Sequence, residues 1–173
     1  GGYVYTVSAK NSAGTSNLIT MTINVSADVV TSDHVEIPAN EISQATDDEI
    51  TQNFSSETNI VLTGTTENLS ETVKKLEELT EVKTLDLSLV TGTTELKLEN
   101  TKLESITLEN NQSITNVEVK NSGTLTELNL SGSSVKTVDA KGCENLETVS
   151  VEKSESLQKL DVSETAVTKL SVK

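Results

Sequence analysis

The feature that most constrains this chain is a short phrase repeated from Val82 onward: a large apolar residue, two polar residues, then apolar–any–apolar. Eight copies keep all three apolar positions, and a ninth, Leu96-Leu98, has Thr93 in the first position. Self-similarity at a short, nearly constant period is typical of a solenoid, in which each repeat packs only on its neighbours. The central apolar residues of the nine copies are Leu85, Leu96, Ile106, Val117, Leu128, Val138, Val149, Leu160 and Leu170.

The rhythm of the phrase bears on how many strands form one coil. Successive central residues are 11 or 10 positions apart, and the order of long and short steps recurs after every third phrase, as from Leu96 to Leu128 and from Leu128 to Leu160. Three phrases per coil would stack connectors of equal length on one another. We therefore predict a mainly β fold, a parallel β-solenoid whose 32-residue super-repeat holds three short strands. The alternative is a two-phrase coil whose sequence arose by duplication of a 32-residue block.

Two stretches of the array carry a family resemblance. The phrases Leu125-Thr-Glu-Leu-Asn-Leu-Ser131 and Gly142-Cys-Glu-Asn-Leu146 resemble the short-period leucine-rich repeats of bacterial surface proteins, and the likeness extends over most of the array. In ordinary members of that class a repeat of about 20–29 residues would hold two of these phrases. The resemblance implies a scaffold at a cell surface, and a scaffold does not by itself specify a function.

Residues 1–25 predict a different element. Tyr3, Tyr5 and Val7 alternate with polar residues before a turn-like Asn11–Thr15, and a second alternating run ends at Val25. This pattern indicates a β-hairpin. Tyr3–Thr15 also resembles the last two strands of bacterial immunoglobulin-like modules, which implies that residues 1–25 are the C-terminal end of such a module.

Residues 26–81 are predicted to be a linker and a small α/β cap. Val35–Ile37 before Pro38 indicates a short extended segment. Thr46-Asp-Asp-Glu49 fits a capping box ahead of a helix, which we favour over a catalytic role for these acids. Asn59–Thr63 predicts a strand, and Asn68-Leu-Ser-Glu71 begins a helix with a favourable Glu71–Lys75 pair. Solenoid ends need such covers. The array, residues 82–173, stops without one, so we expect it to be truncated at its C-terminus or to associate end to end.

Charge and composition limit the classes of partner. The chain has 27 acidic residues, 13 lysines and no arginine, for a net charge of −14. This acidity opposes binding to nucleic acid and to anionic lipid. No apolar segment is long enough for membrane insertion. The single cysteine, Cys143, excludes an internal disulfide, and His34 has no second histidine or thiolate to share a metal. We expect no cofactor.

Outward-facing positions of the predicted strands supply the only candidate binding face. On a three-strand coil, Asp86 and Glu118 would share one face, and Lys97, Asn129 and Asp161 another. Paired carboxylates can hydrolyse glycosidic bonds, and three-sided solenoids include polysaccharide-degrading enzymes. The array, however, has no arginine and no aromatic residue. The sequence therefore predicts a non-enzymatic, extracellular structural or adhesive module that contacts protein or glycan. The alternatives are a self-assembling surface-fibre or surface-layer subunit and a polysaccharide-degrading enzyme.

Overall fold

The computed structural model describes residues 3–7, 21–25 and 34–172, and the chain divides into two units, Gly1–Asp33 and His34–Lys173. In the first unit, strands β1 (Tyr3–Val7) and β2 (Met21–Val25) pair antiparallel. Tyr3 lies opposite Val25 and Val7 opposite Met21, which is the pairing expected of the predicted hairpin. The predicted turn at Asn11–Thr15 lies outside the described residues, and the immunoglobulin-like origin stays a prediction.

The second unit opens with an α/β segment. Its elements are β3 (Val35–Pro38), α1 (Ala39–Gln44), α2 (Asp47–Phe54), β4 (Asn59–Thr65) and α3 (Leu69–Glu77). The predicted capping box is confirmed. The Thr46 hydroxyl accepts the Glu49 N–H at 3.3 Å, and the Glu49 carboxylate accepts the Thr46 N–H at 2.9 Å. The capping interactions fix the start of α2, whose apolar residues Ile50 and Phe54 are buried.

Helix α3 begins where the sequence predicts, because the Asn68 side chain accepts the Glu71 N–H at 3.2 Å. Its apolar stripe is buried. The ammonium of Lys75, which we expected to pair with Glu71, donates instead to the carbonyls of Ser43 and Ala45, both at 3.0 Å. Those carbonyls lie at the end of α1, where the helix dipole is negative and attracts a cation. Helix α1 itself was not predicted.

Nine strands carry the repeated phrase. They are β5 (Thr84–Thr91), β6 (Glu95–Glu99), β7 (Ser105–Thr107), β8 (Asn116–Lys120), β9 (Glu127–Asn129), β10 (Thr137–Asp139), β11 (Thr148–Ser150), β12 (Lys159–Asp161) and β13 (Lys169–Ser171). Successive strands alternate between two sheets whose strands all pair parallel. The four-stranded sheet has the order β12-β10-β8-β6, and the seven-stranded sheet β13-β11-β9-β7-β5-β4-β3.

The predicted coil of three strands is wrong. Leu85 pairs with Ile106, which pairs with Leu128, and Leu96 pairs with Val117. Every second phrase, not every third, is therefore stacked. We call each pair of consecutive strands, one per sheet, a layer.

The corners explain why connectors of unequal length can stack. In every corner of the array from β6 onward, a residue with positive φ lies two positions after the last apolar residue of the phrase, and a small polar residue lies three positions after it. The extra residue of a long connector follows these two positions. Long and short corners therefore begin in the same way. The N–H of Asn100, for example, donates to the Lys120 carbonyl at 3.0 Å, and that of Asn121 to the Lys141 carbonyl at 3.1 Å.

The small polar residue of each corner is turned inward. Asn111 is the fullest example: its amide nitrogen donates to the carbonyls of Leu87 (2.8 Å) and Val90 (2.9 Å), and its oxygen accepts the Ser113 and Ile114 N–H groups, both at 2.9 Å. A buried polar group is tolerated when its hydrogen bonds are made. Asn111, Cys143 and Ser154 link adjacent layers in this way, whereas Ser133 and Thr165 donate to carbonyls of their own corners. The buried members of the set are Thr101, Asn111, Ser122, Ser133 and Cys143.

Candidate binding face

The outer surfaces of the two sheets divide the predicted face residues differently from the expected grouping. In the four-stranded sheet, Lys97, Glu118, Asp139 and Asp161 are successive partners and form one row. In the seven-stranded sheet, Asp86, Thr107 and Asn129 form another. The expected grouping of Asp86 with Glu118, and of Lys97 with Asn129, is wrong because the layers hold two strands.

The outer side of the four-stranded sheet is the more highly charged of the two. We call it the charged face and define it by Glu95, Lys97, Glu118, Lys120, Asp139 and Asp161. A groove of about 340 Å³ runs over it, lined by Glu95, Lys97, Asn116, Glu118, Asp139, Lys159 and neighbouring residues. The central apolar residues of β6, β8 and β10 are buried beneath it; these are Leu96, Val117 and Val138. The core thus holds the polar side chains on a fixed support.

Ion pairs order the charged face. The Lys120 ammonium lies 2.9 Å from a Glu118 oxygen and 3.1 Å from an Asp139 oxygen, so it bridges two carboxylates on adjacent strands. These hydrogen bonds raise the pKa of Lys120. Lys97 lies 2.8 Å from Glu95, and that hydrogen bond raises the pKa of Lys97. Opposite charges across strands relieve the repulsion that adjacent carboxylates would suffer.

Several residues of the predicted face also have a local structural role. One oxygen of Asp86 accepts the N–H of Ser88 at 2.8 Å, one of Asn129 that of Ser131 at 3.1 Å, and one of Asp161 that of Ser163 at 3.0 Å. Aspartate and asparagine commonly make this bond to a residue two positions on, which starts a turn. Hydrogen bonds from Ser163 lower the pKa of Asp161. Asn129 and Asp161 thus begin corners as well as facing outward, whereas the Asp86 bond lies within β5, beside a register shift in its pairing with β4.

Sequence reasoning left Glu95, Lys120 and Asp139 out of the candidate set. Glu118 and Asp139 are successive partners because two strands make a layer. A coil of three strands would instead place Glu118 and Asp139 on different faces. The signal that could have found Glu95 and Lys120 is the charge pattern Glu-x-Lys, which occurs at Glu95–Lys97 and again at Glu118–Lys120. Alternate residues of a strand point to the same face, so each pair is also a face-sharing pair.

The carboxylate pair of the enzyme alternative is not assembled. Asp86 belongs to β5 of the seven-stranded sheet and Glu118 to β8 of the four-stranded sheet. The adjacent carboxylates that the structure does show, Glu118 and Asp139, are bridged by Lys120.

The remaining candidate residues have ordinary surroundings. Cys143 is buried, its thiol donates to the Val119 carbonyl at 2.9 Å, and burial raises its pKa. His34 lies 3.9 Å from Glu36 at the surface. Over the described residues, no cluster of three or more histidine, cysteine or acidic side chains is arranged to hold a metal. Nor does that part of the chain contain a helix long and apolar enough to cross a membrane.

Compared with known proteins, the chain matches no protein-family model, no curated protein and no solved structure.

Proposed function

We propose that this chain is a non-enzymatic structural and adhesive module of an extracellular bacterial surface, built as a leucine-rich β-solenoid. The length of a layer supports the solenoid assignment. One layer spans two phrases, as from Leu85 to Ile106 or from Ile106 to Leu128, and this spacing falls within the range of about 20–29 residues that leucine-rich repeats occupy. The phrases at Leu125–Ser131 and Gly142–Leu146 support the surface location by resemblance.

The observation that carries the proposal is the charged face. The strands that carry it pack on a buried apolar core. Its side chains lie in rows at paired positions of adjacent strands, and ion pairs already join some of them. A preorganised polar surface loses little side-chain entropy when a partner binds. Alternating ammonium and carboxylate groups suit a polar macromolecule, either a protein segment or a glycan rich in hydroxyl groups. The array has no aromatic residue and no arginine, so we expect contacts of modest affinity.

The test compares binding by the intact chain and by a face variant. Glycan and protein arrays identify ligands, and titration then compares wild type with Lys97→Glu/Lys120→Glu, which breaks the bridge between Glu118 and Asp139. The matched control is Lys83→Glu/Lys153→Glu, which makes the same charge change at exposed lysines that flank β5 and β11 of the seven-stranded sheet. We expect the face variant to lose at least about tenfold in affinity, and the control to bind like wild type.

Two results would contradict the proposal. One is equal loss of binding in both variants, which would indicate a general charge effect rather than a defined face. The other is release of reducing or unsaturated sugar from pectin or host glycans by the purified chain, abolished by Glu118→Gln or Asp139→Asn. That result would establish an enzyme.

A further inference from the structure

Two rows of side chains cross the charged face. Each strand of the four-stranded sheet turns outward the two residues on either side of its central apolar residue. Strand pairing aligns these residues across the sheet, and the groove lies between the two rows. The first row is Glu95, Asn116, Thr137 and Lys159, and the second row is Lys97, Glu118, Asp139 and Asp161.

On every strand, the residue of the first row is complementary to the residue of the second row. β6 carries a carboxylate and an ammonium, β8 an amide and a carboxylate, β10 a hydroxyl and a carboxylate, and β12 an ammonium and a carboxylate. Asn116 accepts the Thr137 hydroxyl through its oxygen at 2.9 Å, which leaves its amide N–H groups to donate. The pattern is complete on β6, β8 and β10, and β12 continues it.

This pattern is the one that a two-fold axis along the groove requires. Such an axis turns a second copy face to face with the first and places each first-row residue opposite the second-row residue of the same strand. Glu95 then faces Lys97 of the second copy, and Asn116 faces Glu118 of the second copy. Every facing pair is made twice, because both copies use the same surface. No facing pair of the two rows brings like charges together.

The charges also exclude the other simple arrangement of two faces. An axis parallel to the strands, between β8 and β10, would place Glu118 of one copy opposite Asp139 of the other. Like charges that face each other across an interface strongly oppose association. The charge pattern therefore selects the axis along the groove.

We propose that the charged face binds the charged face of a second copy of this chain about the axis along the groove. The proposal rests on the adhesive function and names its partner, which is another molecule of the same protein. Lys97 lies 2.8 Å from Glu95 of its own strand and can share its ammonium with Glu95 of the second copy. Four strands about 4.8 Å apart form a small face, so one contact is weak. Many copies displayed together on two surfaces multiply that contact.

Sedimentation velocity of the full chain across a concentration series tests the association directly. The series runs from about 10 µM to about 1 mM, at about 0.15 M salt, where a Debye length of about 8 Å screens the repulsion between two acidic copies. We expect a monomer–dimer equilibrium with a Kd on the order of 100 µM. A monomer throughout the series would overturn the proposal. Growth past the dimer would also overturn it, because a surface shared by both copies closes the assembly.

Charge exchange on β6 tests the facing of the two rows. Glu95→Lys places lysines at both positions 95 and 97, and Lys97→Glu places glutamates at both. Each variant alone should dimerise about tenfold more weakly than wild type, because like charges then face each other. An equimolar mixture should form a heterodimer, since lysines of one variant face glutamates of the other. This rescue also shows that both variants fold. A mixture that stays monomeric would contradict the arrangement.

The double variant Glu95→Lys/Lys97→Glu tests whether the partner is a second copy. It should dimerise with itself like wild type, because each lysine at position 95 faces a glutamate at position 97. It should not bind wild type, in which each facing residue has the same charge. Sedimentation of a fluorescently labelled double variant in excess wild type measures this preference. Equal binding to itself and to wild type would rule out the two-fold arrangement.

Matched controls separate this surface from net charge. Lys83→Glu and Glu127→Lys make the same charge changes at exposed positions on the side of the seven-stranded sheet, and both should dimerise like wild type. If they weaken the dimer as much as the β6 variants, net charge is the cause and the proposal fails. A chain that stays monomeric but binds an array ligand through the charged face overturns the second-copy partner and retains the adhesive function. Release of sugar product overturns the adhesive function and leaves the measured dimer unchanged.

Discussion

Each corner of the array from β6 onward turns on one residue with a left-handed backbone. These residues have φ between 51° and 77°. Asparagine and glycine fill five of the positions, and both tolerate this conformation. The other two are Lys153 (φ 57°) and Glu164 (φ 58°), side chains for which the left-handed region costs about 1–2 kcal/mol. The positions are Asn100, Asn110, Asn121, Gly132, Gly142, Lys153 and Glu164.

Replacing Lys153 by glycine should therefore raise the free energy of unfolding. We expect a gain of about 0.5–1 kcal/mol, because relief of the strained conformation outweighs the greater freedom of glycine in the unfolded chain. Urea denaturation measures the change. Lys136→Gly, at an exposed lysine outside the left-handed region, should lower stability by about 0.5–1 kcal/mol. A loss at both positions would show that the corner does not strain Lys153.

At the residue scale the apolar pattern was predictable and the corner polar residues were not. The central residues of the phrases from β5 to β11 were assigned correctly to the interior, because a period of two separates the two faces of a strand. Those of β12 and β13, Leu160 and Leu170, are only partly covered. Asn111 gave no such signal. A buried asparagine and an exposed one look alike in a polar connector, and only the carbonyls of Leu87 and Val90 in the adjacent layer determine that it points inward.

At the scale of elements, the end of α3 lies against the corner between β6 and β7. Thr101 donates its hydroxyl to the half-buried carboxyl of Glu77. Burial raises the pKa of Glu77 to about 7, and the positive charges of Lys102 and Lys74 only partly oppose this rise. Below about pH 7 the folded protein therefore favours neutral Glu77, whereas the unfolded chain ionises it near the usual pKa of 4.5.

The sign of the pH dependence follows. Between about pH 4.5 and pH 7 the folded state binds more protons at Glu77 than the unfolded state, so stability falls as pH rises through this interval. Glu77→Gln should remove that part of the slope and raise stability at pH above 7. A pKa difference of this size corresponds to about 3 kcal/mol, which we reduce to about 1 kcal/mol because the carboxyl is partly solvated.

Chemical denaturation of wild type and Glu77→Gln at a series of pH values measures this effect. Below the unfolded-state pKa the two proteins should have equal stability. The matched control is Glu67→Gln, whose side chain is exposed and which is not among the charges that shift the pKa of Glu77. Parallel pH profiles for wild type and Glu77→Gln would contradict the assignment.

The long periodic elements could be predicted, and the short ones could not. Helices α2 and α3 have caps and apolar stripes in sequence, and both begin where those caps indicate. Helix α1 is short, and only Ala39 and Ile42 in it are buried. Two buried residues define no period, and Pro38 before them indicated an end of structure rather than the start of a helix.

At the scale of the molecule, the α/β segment and the array share one sheet. β3 and β4 continue the seven-stranded sheet directly into β5. The predicted boundary at residue 81 thus falls inside one continuous core within the unit His34–Lys173. We expect this unit to unfold in one cooperative transition, because the shared sheet couples the α/β segment to the array.

Neither chelator nor reductant should alter that transition. The core is apolar, and its one thiol, Cys143, is buried and free. We expect EDTA or dithiothreitol to shift Tm by less than about 2 °C, which is under about 1 kcal/mol for a chain of this size. Leu128→Ala, by contrast, should lower stability by about 2–5 kcal/mol. Circular dichroism during heating measures Tm. A large fall in Tm with EDTA would indicate a metal site.

The number of strands in a layer was the part of the whole that the sequence could not determine. The three-phrase rhythm is real, but it measures repetition along the chain rather than stacking in space. A long corner places its extra residue after the left-handed residue and the inward-turned polar residue, so that its first part matches a short corner. The short corner at Asn100 stacks on the long corner at Asn121 in this way. Equal connector lengths were therefore not required.

The sequence repeats after three phrases while the layers repeat after two, and this mismatch has a consequence for how the surface can change. The block Leu103–Ser134 places its three strands in the seven-, four- and seven-stranded sheets, and Val135–Ala166 places its strands in the four-, seven- and four-stranded sheets. Residues at the same position of the two blocks thus lie on different sheets: Asn129 lies on the seven-stranded sheet and Asp161 on the four-stranded sheet. Copying one block carries a surface residue to the reverse side, and only a second copy returns it. Each such copy adds two strands to one sheet and one to the other, and the next copy reverses these numbers, so both sheets inherit the same set of surface residues.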